Sequence, residues 1–503
     1  MEAMPETNSH PKPRRRACDA CKARKVKCNG ELSCNQCSHL NLRCSYGGPT
    51  KERKNVQRGR LVKQWMNGRE DSELQNPPVV SPTSPDGLTR TLTNASVQSQ
   101  TDTSHLPADP DFFKSFLADF EQYVYPFHPI FSPREAERAI DGMAASQDLE
   151  AFVYALVAVT INFTSTRPIQ PGSDVAGRFD YWITKALQTL RPLTNTEEDI
   201  TPMRVITVQW MHVCFMGLQK FDLGYYYLRQ STSMVQLMRV WSGVDGRYDA
   251  TETARRQRLY CEVFVHERYM AIAHQQDVIL PPLTTMPLED PTIPRGVDHG
   301  FRQIIGLFSH VDTELLARHN NSETLFLENM GNWLERKHHA IQSEHVGNVE
   351  EDVLLSDVQL ADIIITKHWL HMLLWQMAVS QFLLCSQTEE HPLSLLSPVR
   401  VSAQLRKVLS TVSRETVLIH GSSMQQKLFE ITDTIASVIV TLPSNSEPEL
   451  EGRLDDLDYL LGYLYSLPRL GPQQRRVLNE KLQQLQTRFP HRMLPESPLS
   501  AAT

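Results

Sequence analysis

Six of the nine cysteines lie in one 27-residue window near the N-terminus. They are Cys18, Cys21, Cys28, Cys34, Cys37 and Cys44. The spacing of two and then six intervening residues occurs twice, with five residues between the copies. Thiolates are soft ligands that suit tetrahedral zinc, and a two-residue spacing lets two sulfurs reach one ion. The window therefore predicts a metal–thiolate module rather than a disulfide scaffold.

The number of thiolates limits how many ions the module can hold. Two tetrahedral zinc ions need eight ligand positions, so six thiolates suffice only if two of them bridge both ions. The symmetry of the repeat nominates one equivalent residue in each half, and by position these are Cys18 and Cys34. The alternative is a single zinc held by the two leading cysteines of each half, a common ribbon spacing that ignores the repeat. A redox CxxC interpretation is weaker, because no βαβ pattern surrounds the motif.

The two halves of the repeat differ in charge. The first half contains the cations Lys22, Arg24, Lys25 and Lys27. The second contains Arg43 alone between its last two cysteines. A short helix that carries Lys or Arg into the major groove can donate to guanine O6 and N7, and the remaining cations neutralise phosphates. We therefore expect the first half to face double-stranded DNA with GC-containing half-sites.

Charge is also divided unevenly along the whole chain. Residues 10–60 contain fourteen Lys or Arg against three acidic residues, a net charge of +11. Because the whole chain carries −7, the remainder carries −18. A basic head on an acidic body indicates a polyanionic partner for the head alone. The basic runs at 12–16 and 51–60 resemble a nuclear-import signal, which predicts a nuclear location.

The stretch ACDACKARKVKCNG, followed by CNQC and a sixth cysteine, resembles the fungal binuclear zinc-cluster transcription factors. The resemblance implies that the six cysteines bind two zinc ions. It also implies a transcription factor of RNA polymerase II genes that recognises CGG-like half-sites. By position it places Lys25 at the base edges with Arg24 adjacent, and Lys22 and Lys27 on phosphates. It also implies transcription machinery or co-regulators as partners, and a sugar-use or secondary-metabolite gene set as the target.

Composition divides the chain into segments. Residues 67–110 are rich in Ser, Thr, Pro, Asn and Gln, whereas aromatic residues recur at helical spacing from Phe112 onward. The predicted organisation is a disordered tail at 1–13, a zinc-cluster DNA-binding domain at 14–48, a basic and then Ser/Thr/Pro-rich linker at 49–110, an all-helical regulatory domain at 111–490 and a disordered tail at 491–503. The predicted fold class is thus mostly α: a small N-terminal binuclear zinc-cluster module, a disordered linker and a large all-helical domain.

Helix-length apolar periodicity repeats through this large domain. Helices are predicted at about 150–164, 176–190, 204–218, 225–241, 252–274, 301–318, 357–386, 400–442 (two helices), 453–466 and 473–488. The polar stretch 339–353 is predicted to be a loop. The segment RRQRLYCEVFVHERYMAIAHQQDVILPP is similar to the regulatory domain of the same family. The remaining cysteines, Cys214, Cys261 and Cys385, lie in apolar surroundings and are expected to be buried thiols.

Other classes of function find less support in the sequence. The body offers no HExxH, no GxSxG and no phosphate-binding loop, so no catalytic residues and no enzyme are predicted. His368 and His371 have no nearby carboxylate pair and are interpreted as structural histidines. A scaffold that ignores DNA sequence would not need four cations in one loop. The apolar runs are too short or too broken to span a membrane. Since no heptad run follows the cluster, a homodimer stays possible without a coiled coil.

The segment 447–468 mixes acidic and large apolar residues, as activation segments often do. The favoured interpretation is instead an amphipathic helix packed on the body. In that interpretation Leu454, Leu457, Leu461 and Leu464 face inward.

Overall fold

The computed structural model describes residues 17–18, 21–22, 28–31, 34–39, 44–45, 109–164, 178–195, 199–241, 248–320, 330–344, 355–385, 391–441, 447–468 and 470–490. The predicted tails and nearly all of the predicted linker lie outside these residues. The chain divides into two compact units, Met1–Ser99 and Gln100–Thr503.

Regular structure in the described residues consists of helices, with one isolated β-bridge between Cys385 and Ser394. The mostly helical fold class is confirmed. The α-helices are α1 Asn35–His39, α2 Pro110–Lys114, α3 Leu117–Asp119, α4 Pro133–Asp141, α5 Gln147–Thr164, α6 Phe179–Thr189, α7 Pro202–Gly217, α8 Phe221–Leu237, α9 Ala250–Ala273, α10 Arg295–Ser309, α11 Thr313–His319, α12 Met330–Ser343, α13 Asp357–Ser380, α14 Ser397–Thr411, α15 Arg414–Leu418, α16 Gly421–Thr441, α17 Glu447–Tyr465 and α18 Pro472–Arg488. The chain also contains a π-helical turn, Phe120–Val124, and a 3₁₀ turn, Met143–Ala145.

Side-chain caps fix where several of the helices begin. Ser132 and Glu135 form a reciprocal capping box at the start of α4. Thr201 caps α7, Asp249 caps α9 and Ser356 caps α13, each accepting a backbone N–H three residues later. These caps satisfy N–H groups that have no partner within the helix, so short polar residues just before each apolar run set the boundaries.

Two helices form the centre of the large unit. In α5 the residues from Ala151 to Phe163 are nearly all buried, and α13 buries Trp369 and Leu370 among others. A helix that is apolar on every side must be surrounded by other helices. Accordingly α5 packs against α4, α6 and α7, while α13 packs against α10, α12, α14 and α16. One continuous hydrophobic core runs from Phe113 to Leu485.

The structure of helix α17 agrees with one of the two interpretations of its sequence. Leu454, Leu457, Leu461 and Leu464 are all buried, as expected for an amphipathic helix packed on the body. The helix contacts α14 and α16, so the same leucines are not exposed for a partner.

Three sequence predictions need correction. The predicted loop at 339–353 is wrong at its start, because α12 continues to Ser343 and buries Ile341. The single helix predicted at 301–318 is two helices, since Asp312 caps the start of α11. Cys385 is half-buried rather than buried, whereas Cys214 and Cys261 are buried as expected. Burial raises the pKa of the Cys261 thiol to about 12, which makes it unreactive.

Among the described helices, none has the length and apolar content needed to cross a membrane.

Candidate metal centre

The six N-terminal cysteines converge on one small cluster of sulfur atoms. The Sγ atoms of Cys21 and Cys34 are 3.5 Å apart, those of Cys18 and Cys37 are 3.6 Å apart, and those of Cys18 and Cys34 are 3.7 Å apart. These distances are far longer than a disulfide bond. They match the separation of about 3.8 Å between two sulfurs that each lie about 2.3 Å from one tetrahedral zinc.

The sulfur atoms fall into two groups of four. One group contains Cys18, Cys21, Cys28 and Cys34, and the other contains Cys18, Cys34, Cys37 and Cys44. Within each group all Sγ atoms lie within 4.8 Å of one another. Cys18 and Cys34 belong to both groups, so the donor set fits two tetrahedral ions that share two sulfurs. The one-zinc alternative would leave out Cys28 and Cys44, which the geometry includes.

The local backbone repeats in the two halves of the motif. The N–H of Lys22 donates to the carbonyl of Cys18 at 2.8 Å, and the N–H of Ser38 donates to the carbonyl of Cys34 at 2.9 Å. Each leading cysteine therefore opens a helical turn that returns the second cysteine of the half to the cluster. The equal spacing in the sequence thus becomes an equal turn in space.

Backbone N–H groups also point at the sulfurs. The N–H of Cys34 donates to Sγ of Cys44 at 3.3 Å, and this hydrogen bond is the main cause that lowers the pKa of the Cys44 thiol. The N–H of Gly30 donates to Sγ of Cys28 at 3.4 Å. Gly30 has φ 77°, a conformation that favours glycine. The turn after Cys28 therefore depends on glycine at position 30. Donated hydrogen bonds of this kind stabilise thiolates, the form that binds metal.

Burial acts in the opposite direction on the interior thiols. Cys37 is buried, and desolvation raises the pKa of its thiol to about 12. Burial also raises the pKa of the Cys21 thiol. A thiol with a raised pKa gives up its proton only in exchange for a cation. Zinc binding to this cluster must therefore release protons and weaken as the pH falls.

Of the four cations in the first half, Lys22 is described, and it is exposed beside the buried Cys21. Its position leaves its ammonium accessible to a partner. Arg24, Lys25 and Lys27 lie outside the described residues.

The geometry defines the N-terminal module as a binuclear metal–thiolate domain. Residues 16–53 match the family model of the fungal Zn(2)-Cys(6) binuclear cluster domain. The module is therefore a domain of this kind, which binds two zinc ions. The chemistry of the six clustered sulfurs fits the needs of two tetrahedral zinc ions that share two ligands.

The chain is similar to two curated proteins over short stretches. The maltose fermentation regulatory protein MAL63 of Saccharomyces cerevisiae is 41% identical over 51 residues, which are 10% of this chain and 11% of the relative. The fumonisin cluster-specific transcription factor FUM21 of Gibberella moniliformis is 51% identical over 43 residues, which are 8% of this chain and 6% of the relative. The similarity thus spans about a tenth or less of either relative. No solved structure matches the chain.

Sequence reasoning did not find a second group of possible metal ligands, which lies in the helical unit. His128, Glu262 and His266 offer one ligand atom each within 4.8 Å of one another. The spacing of Glu262 and His266, four residues apart on α9, was a local signal. The position of His128, more than a hundred residues earlier in the chain, gave none.

Proposed function

We propose that this protein is a sequence-specific DNA-binding transcription factor of RNA polymerase II genes that acts in the nucleus. The observation that carries the proposal is the pair of four-sulfur groups sharing Cys18 and Cys34, in a module whose first half holds four cations. A cluster of this size gains its fold from zinc, and a folded cluster can present a short basic segment rigidly to DNA.

The proposed ligand assignment follows the sulfur groups. Cys18 and Cys34 bridge the two ions. Cys21 and Cys28 complete the first site, and Cys37 and Cys44 complete the second. In this arrangement every thiolate has a metal partner, which explains why none of the six is spare.

The proposed DNA contacts belong to the first half of the repeat. Lys25 reads base edges with Arg24 adjacent, and Lys22 and Lys27 hold phosphates. Lysine can donate to O6 and N7 of guanine, so CGG-like half-sites are the expected targets. The exposed side chain of Lys22 supports this orientation.

The rest of the chain couples DNA binding by this module to regulation. We assign the DNA-binding domain to 14–48, the linker to 49–110 and the regulatory domain to 111–490. The names of the two relatives concern maltose fermentation and a fumonisin gene cluster. They support a metabolic gene set as the target, either for sugar use or for secondary metabolism. Co-regulators or transcription machinery, and a second copy of the chain, are the proposed protein partners.

Selection of random duplex DNA by the full-length protein tests the proposal. Enrichment of CGG-like half-sites is expected, and the spacing between half-sites distinguishes a monomer from a dimer. The matched control is the Cys28→Ala chain, in which the cluster should not fold and enrichment should disappear. Failure of the unmodified, zinc-loaded protein to enrich any sequence would contradict the proposal.

A further inference from the structure

The helical unit contains a partly open cavity of about 150 Å³, lined by residues of α5, α7, α9, α10, α13 and α16 and of the segments between helices. Titratable side chains are concentrated in its lining: His128, His212, His266, His420, Glu262 and Asp362. Hydrophobic cores rarely collect so many such groups, because each costs free energy when it leaves water. The cavity is therefore a candidate site for a polar or charged ligand.

Three of these side chains form a compact set of metal-ligand atoms. Glu262 and His266 lie four residues apart on α9 and so share one face of that helix. His128 comes from the segment that follows the π-helical turn and reaches the same face. The three ligand atoms lie within 4.8 Å of one another, a span that one ion can bridge. Two imidazoles and one carboxylate are a common donor set for divalent transition metals.

Of the two carboxylate oxygens of Glu262, one is hydrogen-bonded and the other is not. Its Oε1 lies 2.7 Å from Nδ1 of His128, whose side chain is also buried. Its Oε2 is buried and has no hydrogen-bond partner in the described part of the chain. A buried carboxylate oxygen without a donor is costly, and a cation in the cavity would remove that cost.

The hydrogen bonds of His212 orient the third ligand. Nδ1 of His212 lies 2.8 Å from the carbonyl of Gly224 and therefore carries a proton, because a carbonyl can only accept. Nε2 of a neutral His212 then accepts from Nδ1 of His266 at 3.2 Å. This tautomer leaves the lone pair of His266 on Nε2. Metal-binding histidines are commonly held in this way by a second hydrogen bond.

We propose that His128, Glu262 and His266 bind one divalent transition-metal ion, with Zn²⁺ as the first candidate. Three protein ligands leave one tetrahedral position, which the cavity fills with water or with an oxygen or nitrogen donor of a small molecule. The site is separate from the cysteine cluster and does not depend on the proposed DNA-binding function. His212 is a positioning residue in this arrangement.

Zinc counting on the full-length protein tests the site. After dialysis against a buffer with a fixed micromolar free zinc concentration, native mass spectrometry should find three zinc ions per chain. Glu262→Gln should leave two, since the amide replaces the anionic ligand at nearly the same size. His420→Gln is the matched control on the other wall of the cavity and should keep three.

Two results would overturn the site: saturation of the unmodified protein at two ions, or three ions retained by Glu262→Gln. Circular dichroism checks that each variant folds. If Glu262→Gln does not fold, His266→Gln replaces it, and saturation of the unmodified protein at two ions overturns the site without either variant.

Cobalt substitution separates this inference from the proposed function. Glu262→Gln should bind one Co²⁺ ion fewer than the unmodified protein, and the thiolate-to-cobalt charge-transfer band should be equally strong in both, because the lost ion has no sulfur ligand. Loss of the ion together with part of that band would mean that sulfur held it, which would refute the site. Because DNA is not involved, failure of DNA selection leaves this measurement unaffected.

Discussion

Individual cations in the first half of the cysteine repeat are expected to have different tasks. A side chain at base edges contributes to discrimination between sequences, whereas a side chain on a phosphate contributes equally to every sequence. Residue identity alone does not separate these roles, because lysine serves in both.

Replacement of Lys25 or Lys27 distinguishes the two roles. Lys25→Ala should cost about 1–3 kcal/mol of binding free energy and relax base preference, while Lys27→Ala should weaken all sequences and reduce the salt slope by about one. Titration of labelled duplexes at several salt concentrations measures both quantities. Equal and sequence-independent losses at the two positions would contradict the assignment.

A pair of stacked imidazoles illustrates how burial sets charge at the residue scale. Nδ1 of His338 lies 2.8 Å from Nδ1 of His371, and Nε2 of His371 lies 3.2 Å from Oε1 of Gln342. Both contacts are hydrogen bonds when both rings are neutral: His338 donates to His371, and His371 donates to the amide oxygen. Nε2 of His338 is then a buried acceptor with no partner among the described residues. The interpretation of His371 as a structural histidine agrees with this geometry. A further proton on His371 would occupy Nδ1 and remove the acceptor between the rings, whereas a further proton on His338 would sit on its buried Nε2.

The pair should make the helical unit sensitive to acid. Burial lowers the pKa of His338 from 6.5 to about 4 and lowers that of His371 well below its ordinary value, with the neighbouring His338, His368 and Lys367 adding to the second shift. Between pH 6.5 and 4 the unfolded chain therefore binds more protons than the folded chain, and the free energy of unfolding falls as pH falls. His338→Gln should make this dependence shallower in urea titrations across that range. Above pH 7 the two proteins should show the same slope. Parallel curves at every pH would exclude the role.

At the scale of elements, the proline-rich connection between α9 and α10 is held by a buried ion pair. Nη2 of Arg258 lies 2.9 Å from Oδ2 of Asp290, and Nε of Arg258 donates to the carbonyl of Pro129 at 3.0 Å. Both charged side chains are almost wholly buried. Arg258 thus holds two irregular segments against α9: the one that contains Pro129 and the one that contains Asp290.

Removal of one partner of this pair should be strongly destabilising. Asp290→Ala leaves the buried guanidinium uncompensated, and a loss of about 3–5 kcal/mol in the free energy of unfolding is expected. Asp290→Asn is the matched control, because it keeps the shape and one acceptor, and it should cost less. Urea unfolding followed by circular dichroism gives both values. An alanine variant as stable as the unmodified protein would show that the pair does not hold the connection.

At the scale of the whole molecule, the chain combines a small unit that depends on metal with a large unit that depends on a hydrophobic core. The cysteine module buries four of its six cysteines and has no apolar core of its own among the described residues. The helical unit has one core that extends through most of its helices. Residues 10–60, which lie in the small unit, carry a net charge of +11, and the rest of the chain carries −18.

Loss of one zinc ligand should therefore affect one unit and spare the other. Cys28→Ala should unfold the cluster and abolish DNA binding, since structural zinc supplies the folding free energy of so small a module. The thermal unfolding midpoint of the helical unit should stay unchanged, as measured by circular dichroism. A large shift of that midpoint would indicate that the two units stabilise each other.

The sequence by itself was enough to predict the clustering of the six cysteines, the positive charge of the first half of the cysteine repeat and most of the helices. These features depend on residues that are close together in the chain. A two-residue spacing brings two sulfurs together whatever the rest of the protein does, and apolar periodicity marks a helix before it packs. Where polar residues hid the pattern, as in α12, the prediction was wrong.

Only the tertiary structure decided which distant side chains meet. His128 and Glu262 are 134 residues apart in sequence, and His338 and His371 are 33 apart. Their contacts arise from helix packing around one core, and packing depends on the whole set of apolar faces at once. For this reason a histidine or glutamate that reads as an ordinary core residue in the sequence becomes part of a candidate metal site in the folded protein.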